Sequence, residues 1–242
     1  MAWTCSGNTN EELVDHLCKT GIITNGRVAA AMKLTNRALY VGRANARAAY
    51  EDSPQSIGHG ATISAPHMHA HAVENLLAFL KPGANVLDVG SGSGYLVAVF
   101  SHLVQGNVVL GIEHIPELVE SSLAALRKDP LVALRLQTGQ VEVRIADGRM
   151  KLDSRNGDDV VGHKVEEQGF WDAIHVGAAA PEMPIALVKA LKRPGRMFIP
   201  VGVHDQSIYQ VDKDEDGNVT QTRLFGVRYI PLTDREKQTR GH

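Results

Sequence analysis

The sequence predicts an α/β fold. A mixed sheet, parallel through its middle and closed by an antiparallel C-terminal hairpin, follows an N-terminal helical extension. Three observations carry this reading. Short apolar runs alternate with helical patterns from residue 84 onward. One of those runs ends in the glycine-rich turn Gly90-Ser91-Gly92-Ser93-Gly94. Near the C-terminus, strand-like runs flank the turn signal Asp214-Glu215-Asp216-Gly217.

The first 50 residues read as short helices. Thr9 and Glu12 have capping-box spacing, Leu13, Val14, Leu17 and Cys18 form an apolar stripe, and Gly21 follows as a C-cap. A second helical pattern covers 28–34 after Asn25. Residues 51–66 are rich in Ser, Gly, Pro and His and read as an ordered loop, because Ile57 and Ile63 make them too apolar for a linker. Pro66 then opens a helix. Strands at 85–89, 108–112, 141–146, 171–176 and 196–201 alternate with helices at 95–103, 117–127 and 185–191. Short strands in such alternation imply a parallel sheet covered on both faces. Residues 207–211 and 219–229 form the closing hairpin. The polar, charge-mixed stretch 151–169 is too long for an ordinary connection and reads as a solvated surface insertion. The chain is thus expected to be one domain over 1–242: helices and loop in 1–66, α/β core in 84–201, hairpin and tail in 202–242.

Composition narrows the function. Lys plus Arg number 25 against 27 Asp plus Glu, a net charge of −2, which gives no general attraction to phosphate or anionic lipid. A nucleic-acid or membrane partner is not expected. No apolar run approaches the roughly 18 residues of a membrane span, and the start lacks a secretory pattern. Cys5 and Cys18 stand outside any C-x-x-C spacing and read as thiols of a reducing compartment. The expectation is a cytosolic protein, monomeric because no oligomerisation seam is visible.

The chemistry begins at the glycines, which permit a tight turn and close backbone approach to a ligand. A dinucleotide fingerprint G-x-G-x-x-G would need its third glycine at position 95, which is Tyr. Asp88 stands two residues before Gly90, where a carboxylate repels a pyrophosphate and can pair with an ammonium. That favours S-adenosylmethionine, a nucleoside with an amino-acid tail and no phosphate. The next strand runs to Glu113, suited to a bidentate grip on ribose hydroxyls, and the third leads to Asp147-Gly148, where a carboxylate can meet the adenine amino group. Three acids at one sheet edge point to a Rossmann-like, class I S-adenosylmethionine-dependent methyltransferase core. A nicotinamide dehydrogenase would use Glu113 alike but lacks the third glycine, and a cofactor-free binding module has no need of three acids there.

After the fourth strand, Gly177-Ala178-Ala179-Ala180-Pro181 offers no aromatic ring to stack on a target base. Its small side chains read as a groove against exposed backbone, which suits a peptide. His67, His69 and His71 alternate and invite a metal reading. On a helix opened by Pro66, His67 and His71 share a face while His69 points elsewhere, so no metal is expected. Tyr95 reads as packing.

The segment Asp52-Ser53-Pro54-Gln55-Ser56-Ile57-Gly58-His59-Gly60-Ala61-Thr62-Ile63-Ser64-Ala65-Pro66-His67-Met68-His69 resembles the signature loop of the protein-L-isoaspartate (D-aspartate) O-methyltransferase family. The glycine turn, Asp147-Gly148-Arg149-Met150, His175-Val176-Gly177-Ala178-Ala179-Ala180-Pro181 and Pro231-Leu232-Thr233-Asp234-Arg235-Glu236-Lys237-Gln238 resemble it too, in order and over nearly the whole chain. The chain departs from the family at 151–169, where relatives are shorter, and at Glu113, often Asp in relatives. The resemblance implies repair. S-adenosyl-L-methionine would methylate the free α-carboxylate of an isoaspartyl residue in a damaged peptide or protein, leaving S-adenosyl-L-homocysteine, and the ester would collapse to a succinimide that can reopen as normal Asp. It implies that Ala61, Thr62, Ile63, Ser64, His69, Ser93, Glu113, His114, Asp147, Gly148, Thr233 and Gln238 line the cofactor beside Asp88 and Gly90, with Ser64 the active-site hydroxyl. An α-carboxylate has a pKa of about 3.3–3.7, so it attacks without a general base, and alignment and exclusion of water would supply most of the acceleration.

Overall fold

The computed structural model describes residues 5–42, 47–148 and 169–232. Helices α1 (Asn10–Lys19) and α2 (Gly26–Leu34) come first. Thr9 caps α1 as expected, its Oγ1 accepting from Glu12 N. The Glu12 carboxylate reaches back to Asn8 N at 2.8 Å rather than to Thr9, so the box closes one residue earlier than its spacing implied. Gly21 follows α1 at φ +75°, where a Cβ would be strained.

Residues 51–66 hold more structure than a loop. Strands β1 (Gln55–Gly58) and β2 (Ala61–Ile63) form an antiparallel pair, turned by His59 and Gly60 at φ 52° and 68°. Strands this short carry no alternating pattern to read. Helix α3 (Pro66–Leu76) starts at its proline.

The remaining elements are β3 (Val86–Val89), α4 (Tyr95–Val104), β4 (Val109–Glu113), α5 (Pro116–Leu126), α6 (Pro130–Gln137), β5 (Val141–Ile145), β6 (Trp171–Val176), α7 (Ile185–Ala190), β7 (Leu191–Val201), β8 (Gln206–Lys213) and β9 (Val219–Val227). Helix α6 was not expected. Asp129 caps it by accepting from Leu131 N and Val132 N, but outward-facing Leu131 and Leu134 blur its periodicity. Strand β7 starts earlier than expected, since Leu191 already pairs with Trp171 across a bulge.

The large sheet has the order β5-β4-β3-β6-β7-β8-β9. Pairs from β5 to β7 are parallel, and β7–β8 and β8–β9 are antiparallel, as the closing hairpin predicts. Alternating side chains feed two apolar cores. Val86, Ala173 and Phe198 join the core with α1 to α4, whereas Leu87, Val89, Ile174 and Val176 join the other. The chain winds outward from β3 to β5 and then returns to β6 on the other side of β3, so the order reverses between β3 and β6. Ligands of open α/β sheets bind outside the carboxyl ends of strands at such a switch point. No helix among the described residues is long and apolar enough to cross a membrane.

Candidate active site

The glycine turn leaves β3 at this switch point. Gly90 N and Ser91 N both donate to Ile112 O, at 2.8 and 3.0 Å, which docks the turn against β4. Gly90 has φ +73°, and a Cβ built on Gly177, just past β6, would lie 2.9 Å from Gly90 O. Small residues keep the mouth between β3 and β6 open.

Glu113 closes the β4 side. Its buried carboxylate takes three backbone donors: Oε1 accepts from His114 N at 2.8 Å and Ile115 N at 3.1 Å, and Oε2 accepts from Gly92 N at 3.1 Å. About four lone-pair sites are available, so the expected grip on two ribose hydroxyls has one site that is not already used. Beyond β5, Gly148 lines the cleft with Asp147 beside it. Ser93 Oγ accepts from Tyr95 N at 3.3 Å and so helps to start α4.

Asp88 has an imidazole partner that sequence reasoning missed. Its Oδ1 lies 2.7 Å from His175 Nδ1, and both residues are buried. They are register partners on adjacent parallel strands, which only the strand order reveals.

The opposite wall is the β1–β2 hairpin and the turn into α3. Ile57 Cδ1 approaches to 3.3 Å of a Cβ built on Gly92, so the hairpin leans on the glycine turn. Asp52, also buried, fixes its base by accepting from His67 N at 3.0 Å and pairing with His67 Nδ1 at 2.8 Å. The three alternating histidines go to different neighbours: His67 to Asp52, His69 to a stack on Tyr95, and His71 to Phe225. Burial, then the charge of Arg37, hold the His69 pKa well below its ordinary value. Tyr95 is packed as expected, edge-on to Tyr40, and burial pushes its pKa up to about 12.

The segment after β9 makes the third wall, and here one expectation is corrected. Gly177 and Ala178 line the cleft, but the backbone of Ala179 and Ala180 is not exposed as expected. Ala179 N donates to Ile230 O and Ala179 O accepts from Leu232 N, while Ala180 N donates to Pro200 O and Ala180 O accepts from Gly202 N. A substrate backbone therefore finds these groups taken. The same pairing places Tyr229 at the cleft that Ser64 also lines. Burial pushes the Tyr229 pKa up to about 12, so its hydroxyl keeps its proton at neutral pH. Gln206 grips the Tyr229 backbone from both sides, donating to its carbonyl and accepting from its N–H. Sequence reasoning found neither residue. The Tyr229 that precedes Ile230-Pro231 carries no signal of its own until the chain folds back.

The three walls enclose a cleft of about 290 Å³ that brings together Ala61, Thr62, Ser64, Gly90, Glu113, His114 and Gly148. A smaller recess of about 40 Å³ holds Ile63, His69, Asp88 and Ser93, and shares Thr62, Ser64 and Gly90 with it. Thr233 and Gln238 lie outside the described residues, as does the insertion 151–169 apart from Gly169.

A cleft at the switch point between parallel strands, floored by glycines and closed by a strand-end carboxylate, is built for a nucleoside cofactor, and the likenesses that follow make the protein an S-adenosylmethionine-dependent methyltransferase. The sequence model described as protein-L-isoaspartate(D-aspartate) O-methyltransferase matches residues 8–237. Protein-L-isoaspartate O-methyltransferase 1 of Arabidopsis thaliana is 45% identical over 99% of this chain and 98% of its own. The Caenorhabditis elegans protein-L-isoaspartate O-methyltransferase is 43% identical over 98% of each chain. A protein-L-isoaspartate O-methyltransferase from Plasmodium falciparum, solved in complex with S-adenosyl-L-homocysteine, matches with a TM-score of 0.81 at 31% identity, over 94% of this chain and 99% of that one. The chain belongs to the protein-L-isoaspartate(D-aspartate) O-methyltransferase family.

Proposed function

We propose that this enzyme methylates the free α-carboxylate of L-isoaspartyl residues in damaged peptides and proteins, at the cleft between the glycine turn and Ser64. The ester then closes to a succinimide that can reopen as normal Asp. The observation that carries the reading is the shared cleft: Ser64 and Tyr229 line the same mouth that Glu113 and the glycine turn bound.

The residues present fit the cofactor. Gly90 and Gly177 leave the mouth without a Cβ, Glu113 has lone-pair capacity at the β4 end, and Ser91 Oγ is buried without a hydrogen-bond partner among the described residues beside the recess. Glu113 with His114 would hold the ribose, Asp147 and Gly148 the base, and Asp88, Ser93 and His69 the amino-acid tail, with Ala61, Thr62 and Ile63 covering it and Thr233 and Gln238 completing the site. When bound, S-adenosylmethionine supplies an electrophilic methyl group on a sulfonium. The chain aligns and dries the encounter. Ser64 donates a hydrogen bond that orients the substrate carboxylate, and Tyr229 lines the cleft beside it. Arg228 lines the cleft with an exposed cation that can draw the carboxylate in.

The reading extends to a single-domain, monomeric cytosolic enzyme with no nucleic-acid or membrane partner. It is supported by the free thiols Cys5 and Cys18 and the near-neutral charge. The test is methyl transfer from labelled cofactor to paired isoaspartyl and aspartyl peptides. Transfer confined to the isoaspartyl peptide is expected, and comparable rates on both would overturn the repair reading.

A further inference from the structure

Behind the wall that carries Ser64 lies a wholly buried guanidinium. Arg37 opens a short 3-10 turn, Arg37–Leu39, and is 0% exposed. Its placement is the work of the N-terminal helices. Arg37 N donates to Asn10 Oδ1 at 3.2 Å, and the Asn10 amide donates to Met32 O and Lys33 O, both at 3.0 Å. The side chain then reaches the active-site loop. Nη2 donates to Ser64 O at 2.8 Å, Nη1 lies 3.4 Å from His69 Nδ1, and Cζ lies 5.6 Å from the centre of the Tyr95 ring. That ring stacks on His69 at 4.9 Å, while Arg37 Nε has no partner among the described residues.

Burial lowers the Arg37 pKa to about 10, which still leaves it charged at neutral pH. Both contacts of its amino groups are to uncharged acceptors, Ser64 O and His69 Nδ1. A buried cation without a hydrogen-bonded carboxylate is an inefficient structural brace, because an apolar side chain of similar volume fills the space with no desolvation cost. What a guanidinium adds is a rigid fork made only of donors. The His69 nitrogen opposite it must therefore present a lone pair, and the proton of the neutral ring sits on Nε2. Protonating Nδ1 would turn N–H against N–H.

We propose that Arg37 is a positioning residue of the methyl-transfer site: it pins the Ser64 carbonyl and fixes His69 as an uncharged Nε2–H donor facing the recess, where it meets the carboxylate of the cofactor's amino-acid tail. The proposal rests on the reading of the cleft as the cofactor site. Among the described residues, the groups around His69 are Arg37, Tyr95 of α4, His67 of α3 with its partner Asp52, and His175 of β6 with its partner Asp88. Desolvation first, then Arg37, His175 and His67 oppose a charge on the ring, so the donor persists across the neutral range.

The direct test is nitrogen-15 NMR of histidine-labelled enzyme. His69 should show a protonated Nε2 and an unprotonated Nδ1 from pH 8 to about 5.5. In Arg37→Met, a neutral filler of similar length, the tautomer preference should relax and Nδ1–H should become populated, while burial keeps the ring uncharged. A second pair of variants needs no change at Arg37. His69→Gln sets an amide NH2 close to the Nε2 position and should retain most of the S-adenosylhomocysteine affinity. His69→Asn, which mimics Nδ1, should lose about tenfold or more. A wild-type spectrum with Nδ1 protonated would overturn the role of Arg37, as would His69→Asn binding better than His69→Gln. Full affinity in both variants would instead overturn the assignment of His69 to the cofactor, and the spectrum separates the two failures.

Discussion

Replacing Glu113 by Gln should damage stability and cofactor affinity by separable amounts. The carboxylate accepts from Gly92 N on one oxygen and from His114 N and Ile115 N on the other. A carboxamide keeps the length but offers one acceptor end, so in either orientation its NH2 faces at least one backbone N–H. The cheaper orientation leaves Gly92 N unsatisfied, at about 1–3 kcal/mol for a buried donor. For a chain of this size that is a fall in Tm of roughly 2–12 °C. Loss of a charge-assisted bond to a ribose hydroxyl should weaken S-adenosylhomocysteine by a further 1.5–3 kcal/mol or so, about ten- to a hundredfold in Kd. Glu113→Ala leaves all three donors without an acceptor and costs at least about 3 kcal/mol in stability, so Gln is the better variant. Calorimetric titration at a temperature well below the transition, beside scanning calorimetry, reads both quantities. An unchanged Kd with a lowered Tm would reduce Glu113 to a strut of the glycine turn. An unchanged Tm would refute the three-donor arrangement itself.

Ser64→Ala should lower turnover of isoaspartyl peptide about tenfold or more while leaving S-adenosylhomocysteine affinity nearly intact, and full activity in steady-state assays would remove Ser64 from the mechanism. Wild-type enzyme should favour isoaspartyl over aspartyl peptide by on the order of a hundredfold, since the two carboxylates differ in reach by one bond and about 1 Å of misplacement costs that much. Stability should fall as pH drops from 7 towards 5: burial holds His69 and His102 below their ordinary pKa, so the unfolded chain takes up protons near pH 6.5 that the folded one refuses. His102→Gln should flatten that part of the Tm–pH curve, and an identical slope would show that His102 does not contribute. Shortening 151–169 should change stability by about 1 kcal/mol or less and spare activity, and a folded variant that no longer methylates peptide would assign the segment to substrate binding.

What could be read from the sequence is what the backbone dictates locally. The glycine turn announced itself because Gly90 needs φ +73° and Gly177 has no room for a Cβ, and only glycine meets those demands. Strands β3, β4 and β6 announced themselves as short apolar runs because both faces of the sheet are covered. What could not be read depends on which distant segments meet. Asp88 and His175 stand 87 positions apart, and they pair because β6 returns beside β3 rather than beyond β5. Arg37 belongs to a segment whose pattern says only "helix", yet its guanidinium ends under Ser64 because Asn10 and α2 hold the turn there. The exposed backbone expected across 177–181 failed at Ala179 and Ala180 for the same reason. Small side chains do expose a backbone, but the segment following β9 reaches that backbone first and brings Tyr229 with it. That wall of the cleft is therefore built by the segment that follows β9, which sets Tyr229 in the same cleft as Ser64, while a guanidinium from the N-terminal helices holds the Ser64 carbonyl from behind.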